Sequence, residues 1–185
     1  MIPVTSGMMT ELESALPRNR ILTRLQRDIP FLLVAAVVVA VDQITKYIVR
    51  SNVALGEAVP HEGILRIVHV TNTGAAFGML QGQTLFLTIT TLFGLFAIVL
   101  YYIYPPMDHG ILRIALGLQL GGAIGNLSDR IRVGEVTDFI DFRYWPAFNV
   151  ADSAISVGVA TIVGFLILSD IVWQQKKAGD SNSSA

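Results

Sequence analysis

The chain has 185 residues, a length for one domain, and only 15% of them are charged, against about 25% in an ordinary soluble domain. A net charge of −1 argues against nucleic acid as an electrostatic partner, and the absence of cysteine removes disulfides, thiolate catalysis and cysteine-based metal sites. No Asp, Glu, Lys or Arg lies between Arg66 and Asp108, between Arg113 and Asp129, or between Asp152 and Asp170. A soluble helix needs charge on its exposed face, so gaps of this length exclude an ordinary soluble fold.

Residues 1–28 read as a cytoplasmic N-terminal extension, partly disordered, with 1–16 polar and without periodicity. A cleaved signal peptide over 18–41 is disfavoured, because no A-x-A-like site follows Val41 and the apolar stretch runs on to Val49. Crossing lipid takes roughly 20 apolar residues, and four segments qualify. The first covers about 29–49 and is interrupted by Asp42 and Lys46. An outer segment follows, in which 64–70 is β-branched and partly alternating, predicting a short strand, and Asn72-Thr73-Gly74 signals a turn. The second span covers 84–104, and Pro105-Pro106 ends it. A short inner connection leads to the third span, 110–128. Residues 129–151 form a second outer loop, and the fourth span covers 152–173, making 29–173 one four-span domain. Residues 174–185 form a cytoplasmic polar tail, disordered from 178. Tyr101, Tyr102, Tyr104 and Trp173 fall where an interfacial aromatic belt belongs. Four spans put both termini on one side. Basic residues divide almost evenly between the sides, so the cluster Arg18, Arg20, Arg24 and Arg27 at the first helix decides, and both termini are expected in the cytoplasm.

This topology gathers the unusual polar residues at one face. Asp42 and Lys46 lie in the outer half of the first span, Asn72 in the first outer segment, and Asn126, Asp129 and Arg130 at the outer end of the third span. Asp138 and Asp141 lie in the second outer loop, and Asn149 and Asp152 at the start of the fourth span. An ionisable group at a helix centre costs about 2.5–3.5 kcal/mol on insertion scales, so it is usually paired or functional. Asp42 and Lys46 are spaced i, i+4 and read first as a tolerated ion pair supporting a nearby site. Gly117, Gly121 and Gly125, with Gly122 beside them, make a small-xxx-small stripe that lets a neighbouring helix approach.

Two adjacent carboxylates do not both ionise easily and so share a proton, giving an acid and a base from one residue type without a metal or cofactor. Asp129, Asp138, Asp141 and Asp152 are the candidates, and each is also readable as a plain loop or helix-end charge; Asp129 beside Arg130 suggests a local ion pair. Neither H-E-x-x-H nor G-x-S-x-G occurs. The competing catalytic reading is a Ser-Lys pair, with Lys46 and one of Ser51, Ser128, Ser153 or Ser156. The competing non-enzymatic reading is a small transporter or assembly factor. Against it, the inner halves of the spans carry almost no polar residues for a substrate to cross by.

Five blocks then carry a resemblance. They are Asp42-Gln43-Ile44-Thr45-Lys46, Asn72-Thr73-Gly74-Ala75-Ala76-Phe77, the glycine-rich run from Gly121 to Asn126-Leu127-Ser128-Asp129-Arg130, Val136-Thr137-Asp138-Phe139, and Phe148-Asn149-Val150-Ala151-Asp152-Ser153. In this order and on four spans, the sequence resembles the bacterial lipoprotein signal peptidases, also called signal peptidase II. The resemblance implies a mainly α membrane protein of four transmembrane helices, with a small extracytoplasmic β-sheet cradle and a short interfacial helix. It implies an intramembrane aspartic endopeptidase of the inner membrane, its active site near the outer face. Such an enzyme needs no cofactor and cuts diacylglyceryl-modified prolipoproteins on the amino side of the lipidated cysteine. Carried over residue by residue, Asp138 and Asp152 match the catalytic dyad. Asn72, Gly74, Asn126, Asp129, Arg130, Asn149 and Ala151 match positions that shape the site, with Asp129 expected beside Arg130, and Asp42 and Lys46 match the polar pair of the first helix. Membrane lipids and diacylated substrates are the expected partners, and the protein is expected to be a monomer. Two features depart from the family pattern: the N-terminal extension is long, and the connection from Asp138 to Asp152 through Arg143-Tyr144-Trp145-Pro146 is short.

Overall fold

The computed structural model describes residues 17–74, 82–105, 107 and 109–183, with side chains described between 28 and 177. Helix α1 (Pro17–Asn52) is followed by strands β1 (Ala58–Val59) and β2 (Leu65–Asn72), then helices α2 (Thr84–Ile103) and α3 (Gly110–Arg132). Strands β3 (Val136–Phe142) and β4 (Trp145–Phe148) lead into helix α4 (Val150–Ser183). Four helical stretches are long and apolar enough to cross a membrane: Asp28–Asn52, Thr84–Ile103, Gly110–Arg132 and Val150–Lys177. At about 1.5 Å per residue, even the 20 residues of α2 reach the roughly 30 Å of a hydrocarbon core.

Helix α1 begins at Pro17 and runs through Pro30 into the membrane-spanning stretch, so the residues just before the expected start at 29 are already helical. At the other end, α4 continues to Ser183, which corrects the expectation of disorder from 178. Residues 1–16 lie outside the described residues, as do Ala75, Ala76 and Phe77. The short interfacial helix implied by the resemblance is not found among the described residues, and 75–81 lie outside them. The third span ends at Arg132, one turn later than expected, so Asp129 and Arg130 sit on a helix rather than in a loop.

The strands form one antiparallel sheet in the order β1-β2-β3-β4. β2 covers most of the expected 64–70 strand, and β3 pairs with it, setting Asp138 opposite Val70. Phe142 pairs with Trp145, leaving Arg143-Tyr144 as a two-residue hairpin turn. A tight hairpin, rather than an open loop, accounts for the short Asp138–Asp152 connection.

Helix α3 is central. It packs on α1 and α4 along its length, whereas α2 packs chiefly on α3. Its glycines set these contacts. A Cβ added at Gly117 or Gly121 would lie 2.7 Å from the carbonyl oxygen of Phe31 or Ala35 on α1, and one at Gly122 would collide with the carbonyl oxygen of Ala151 on α4. The glycine stripe is thus used up by packing within the chain. The core around it is small and apolar: Phe31, Ala35 and Val38 of α1, Leu112, Ala115 and Leu116 of α3, and Ala151 and Ala154 of α4.

Candidate active site

Asn149 precedes the first residue of α4 and caps it. Its side-chain oxygen accepts the backbone N–H of Asp152 at 2.9 Å, and its own backbone N–H donates to Asp152 Oδ2 at 3.3 Å. This reciprocal arrangement is a capping box with an aspartate at its third helical position. The Asn-x-Ala-Asp spacing therefore starts the helix and also fixes the carboxylate of Asp152 at the helix N-terminus. The Asn149 amide meanwhile donates to Asp138 Oδ1 at 2.7 Å, so one asparagine holds both carboxylates.

Strand β3 supplies Asp138, which is buried. Its other oxygen accepts the Asn72 amide at 2.9 Å, and Asn72 is itself held because its side-chain oxygen accepts the backbone N–H of Gly74 at 2.8 Å. From α3, Asn126 donates to Asp152 Oδ1 at 2.7 Å. The Asn126 oxygen accepts from Lys46 Nζ at 3.0 Å and from Asn149 at 3.2 Å. Burial, then the charge of Asp152, push the Asp138 carboxyl up to about 6, against the opposing hydrogen bonds of Asn72 and Asn149 and the Lys46 charge. Two carboxylates facing one cavity, with the pKa of Asp138 raised by burial and by the Asp152 charge, are the geometry of an acid–base pair. The cavity measures about 590 Å³. Asn72, Asn126, Arg130, Asp138 and Asp152 form its polar wall, and Trp145, Pro146, Phe148 and Val157 its apolar one.

Beneath the carboxylate pair lies a separate ionic cluster. Lys46 pairs with Asp42 at 2.9 Å, as its i, i+4 spacing suggests, and also with Asp129 at 3.1 Å; all three side chains are essentially inaccessible. Arg50 Nη2 lies 2.9 Å from Asp129 Oδ1, and Arg50 Nε donates to the Thr137 hydroxyl at 2.7 Å. Asp42 accepts the Ala151 backbone N–H at 3.0 Å, and Asp129 accepts that of Thr137 at 3.2 Å. Gln43 bridges Asp42, Asp129 and the Gly125 carbonyl. Two acids and two bases cancel, which is how charges are tolerated away from water.

The expected pairing of Asp129 with Arg130 is corrected. Asp129 faces Lys46 and Arg50, while the Arg130 guanidinium reaches Thr91 at 3.5 Å and lines the cavity. Neighbours on a helix point in different directions and do not meet. Asp141 is drawn off by Arg66 directly across the sheet and stands apart from the carboxylate pair. The Ser-Lys reading loses its base, since Lys46 is enclosed by Asp42, Asp129 and Asn126, and the hydroxyls of Ser128 and Ser153 donate to carbonyls of their own helices. Sequence reasoning missed Arg50, Gln43 and Thr137. Arg50 carried a signal: it follows Lys46 by one turn and Asp42 by two, on the same helix face. Among the described residues, no three His, Cys, Asp or Glu side chains gather closely enough to hold a metal ion.

The chain is similar to known proteins over most of its length. A family profile described as "Signal peptidase (SPase) II" matches residues 34–168. The lipoprotein signal peptidase of Moorella thermoacetica is 45% identical over 141 residues, covering 75% of this chain and 93% of its own. That of Halothermothrix orenii is 39% identical over 150 residues, covering 80% and 98%. A solved bacterial membrane enzyme structure superposes with a TM-score of 0.71 at 37% identity, covering 76% of this chain and 88% of the other.

Proposed function

The chain belongs to the signal peptidase II family, and from that premise we propose that it removes the signal peptide from diacylglyceryl-modified prolipoproteins, with Asp138 and Asp152 as its catalytic pair. The observation that carries this reading is the Asn149 bridge, which holds a strand carboxylate and a helix-cap carboxylate against one cavity between membrane spans.

The substrate's signal helix enters laterally between spans, its acyl chains remaining in lipid, and presents the peptide bond preceding the lipidated cysteine to the pair. The ionised carboxylate takes a proton from water, and the water oxygen adds to the scissile carbonyl carbon. The protonated carboxyl donates its proton to the carbonyl oxygen, giving a tetrahedral intermediate. As that intermediate collapses, the C–N bond breaks, the carboxyl that took water's proton passes it to the departing cysteine amine, and the other carboxylate takes a proton back from a hydroxyl of the intermediate as its carbonyl re-forms. General acid–base assistance of this kind contributes roughly 10²- to 10⁴-fold. Asn72, Asn126 and Asn149 fix the carboxylates, and Arg130 lines the cavity beside them. The Asp42–Lys46–Asp129 cluster, with the half-buried Arg50, keeps α1, α3 and β3 in register below the pair. No cofactor enters the reaction.

We further infer a monomer, because the glycine stripe of α3 is filled by α1 and α4 of the same chain. We place both termini in the cytoplasm and the carboxylate pair at the outer face of the inner membrane, on the strength of the arginine cluster before the first span.

The experiment is a cleavage assay with the purified full-length protein on one prolipoprotein, with and without its diacylglyceryl group. Release of the signal peptide from the diacylated form alone is expected. Equal cleavage of both forms, or of neither, would overturn the substrate assignment.

A further inference from the structure

Below the carboxylate pair a second cavity, about 630 Å³, runs inward between α2, α3 and α4. It shares Asn126, Arg130, Asp152 and Ile155 with the first, so it is continuous with the site of cleavage. From α2 it takes one face, Leu87, Thr91, Gly94, Ala97, Ile98 and Tyr101. A Cβ at Gly94 would meet nothing within 4 Å. α2 has no contact with α4 comparable to its packing on α3, which leaves the groove open sideways to the lipid. From Arg130 to Leu116 it follows α3 for about 21 Å, at 1.5 Å per residue.

One wall residue does not fit an apolar groove. Gln119 lies on α3 seven positions, or about 10 Å, inward of Asn126, near the middle of the span. Its stem is seated against α4 at Gly158, where a Cβ would lie 2.8 Å from Gln119 Cγ, and it lines the groove. Among the described residues its amide makes no hydrogen bond, whereas Thr91, Arg130, Asn126 and Asp152 in the same groove all have partners. An amide at this depth, away from water, gains most from a polar partner brought in by whatever fills the groove. The substrate segment on the amino side of the scissile bond must run inward from the carboxylate pair, so the occupant is the signal helix. Its backbone groups are satisfied within the helix, which leaves a side-chain hydroxyl as the complementary group.

We propose that Gln119 is a specificity-determining residue that hydrogen-bonds a serine or threonine hydroxyl on the signal helix, five to eight residues before the lipidated cysteine. This rests on the peptidase reading above and adds a preference within the substrate class. The span of positions follows from the 10 Å offset, with the residues next to the scissile bond extended and the rest helical.

The test uses the full-length protein in detergent micelles and diacylated prolipoproteins with an all-leucine hydrophobic stretch, into which serine is placed singly at the fifth, sixth, seventh or eighth residue before the cysteine. At one of these positions serine should raise kcat/KM roughly 3- to 10-fold over leucine. Gln119→Leu and Gln119→Met should lose that preference, the ratio of kcat/KM for the serine substrate to that for the all-leucine substrate falling to about one in both variants. A flat serine scan in the parent, or an unchanged serine preference in both variants, would overturn the assignment. Failure of the parent on every diacylated substrate would instead overturn the peptidase reading itself.

Discussion

Burial and the neighbouring Asp152 charge hold the Asp138 carboxyl at about 6, well above its ordinary 3.8. The fold therefore favours the protonated form. The stability this contributes is complete below about 3.8 and is lost as the pH climbs through about 6. The same titration governs catalysis, because a working pair carries one proton and titrates as a unit. Cleavage should decline as pH rises above about 6. Asn72 donates to the charged form of Asp138, so Asn72→Ala should move this alkaline limb to higher pH, even though the maximal rate falls. A pH–rate profile of the variant reads this directly, and a limb that stays in place or moves to lower pH would contradict it. At this scale the sequence was legible where spacing decides contact, as for Asp42 and Lys46. It misled at Asp129 and Arg130, because the uncharged run by itself ends at 128; once the helix continues to Arg132, the two side chains must diverge.

Among the elements, hydrophobic length made the four spans readable, since little besides a membrane helix explains runs of that kind. The helix ends were less legible. Pro17 begins α1 and Ser183 ends α4 in stretches whose polar composition also suits a coil. Strand β2 announced itself by β-branching, but β3 and β4 did not. The run from Val136 to Thr137, Asp138 and Phe139 is buried at every position, so the alternation that marks a half-exposed strand is missing. The Arg143-Tyr144 hairpin turn also sets a test of orientation. Tyr144 is 91% exposed, and the chain has no native cysteine to confuse labelling. Tyr144→Cys in intact cells should react with a membrane-impermeant maleimide added outside, whereas a cysteine at Ser181 should react only after the membrane is permeabilised. The reverse pattern would invert the proposed topology.

Across the whole molecule, the site exists only because distant segments converge. Asp42 and Lys46 arrive from α1, Asn72 from β2, Asn126 and Asp129 from α3, Asp138 from β3 and Asp152 from α4. No periodicity in the sequence encodes that convergence. Composition and topology narrowed the polar residues to one face, and among four acids on that face only the family blocks separated Asp138 and Asp152 from Asp129 and Asp141. The structure supplies the physical distinction. Asp129 is neutralised by Lys46 and Arg50, and Asp141 by Arg66, whereas among the described residues Asp138 and Asp152 are held by asparagines alone, which position a carboxylate without cancelling its charge. Of these four acids, the two left without a basic partner among the described residues are the two that face the cavity.

The central claim is that these two carboxylates perform the cleavage together. The most direct test measures kcat/KM of Asp138→Asn and Asp152→Asn, each on a diacylated prolipoprotein, with thermal unfolding in detergent to verify that the fold is kept. Each variant is expected to fall at least roughly 100-fold while remaining folded, since either change removes one of the two proton-handling groups. Near-parental cleavage by either folded variant would contradict the account.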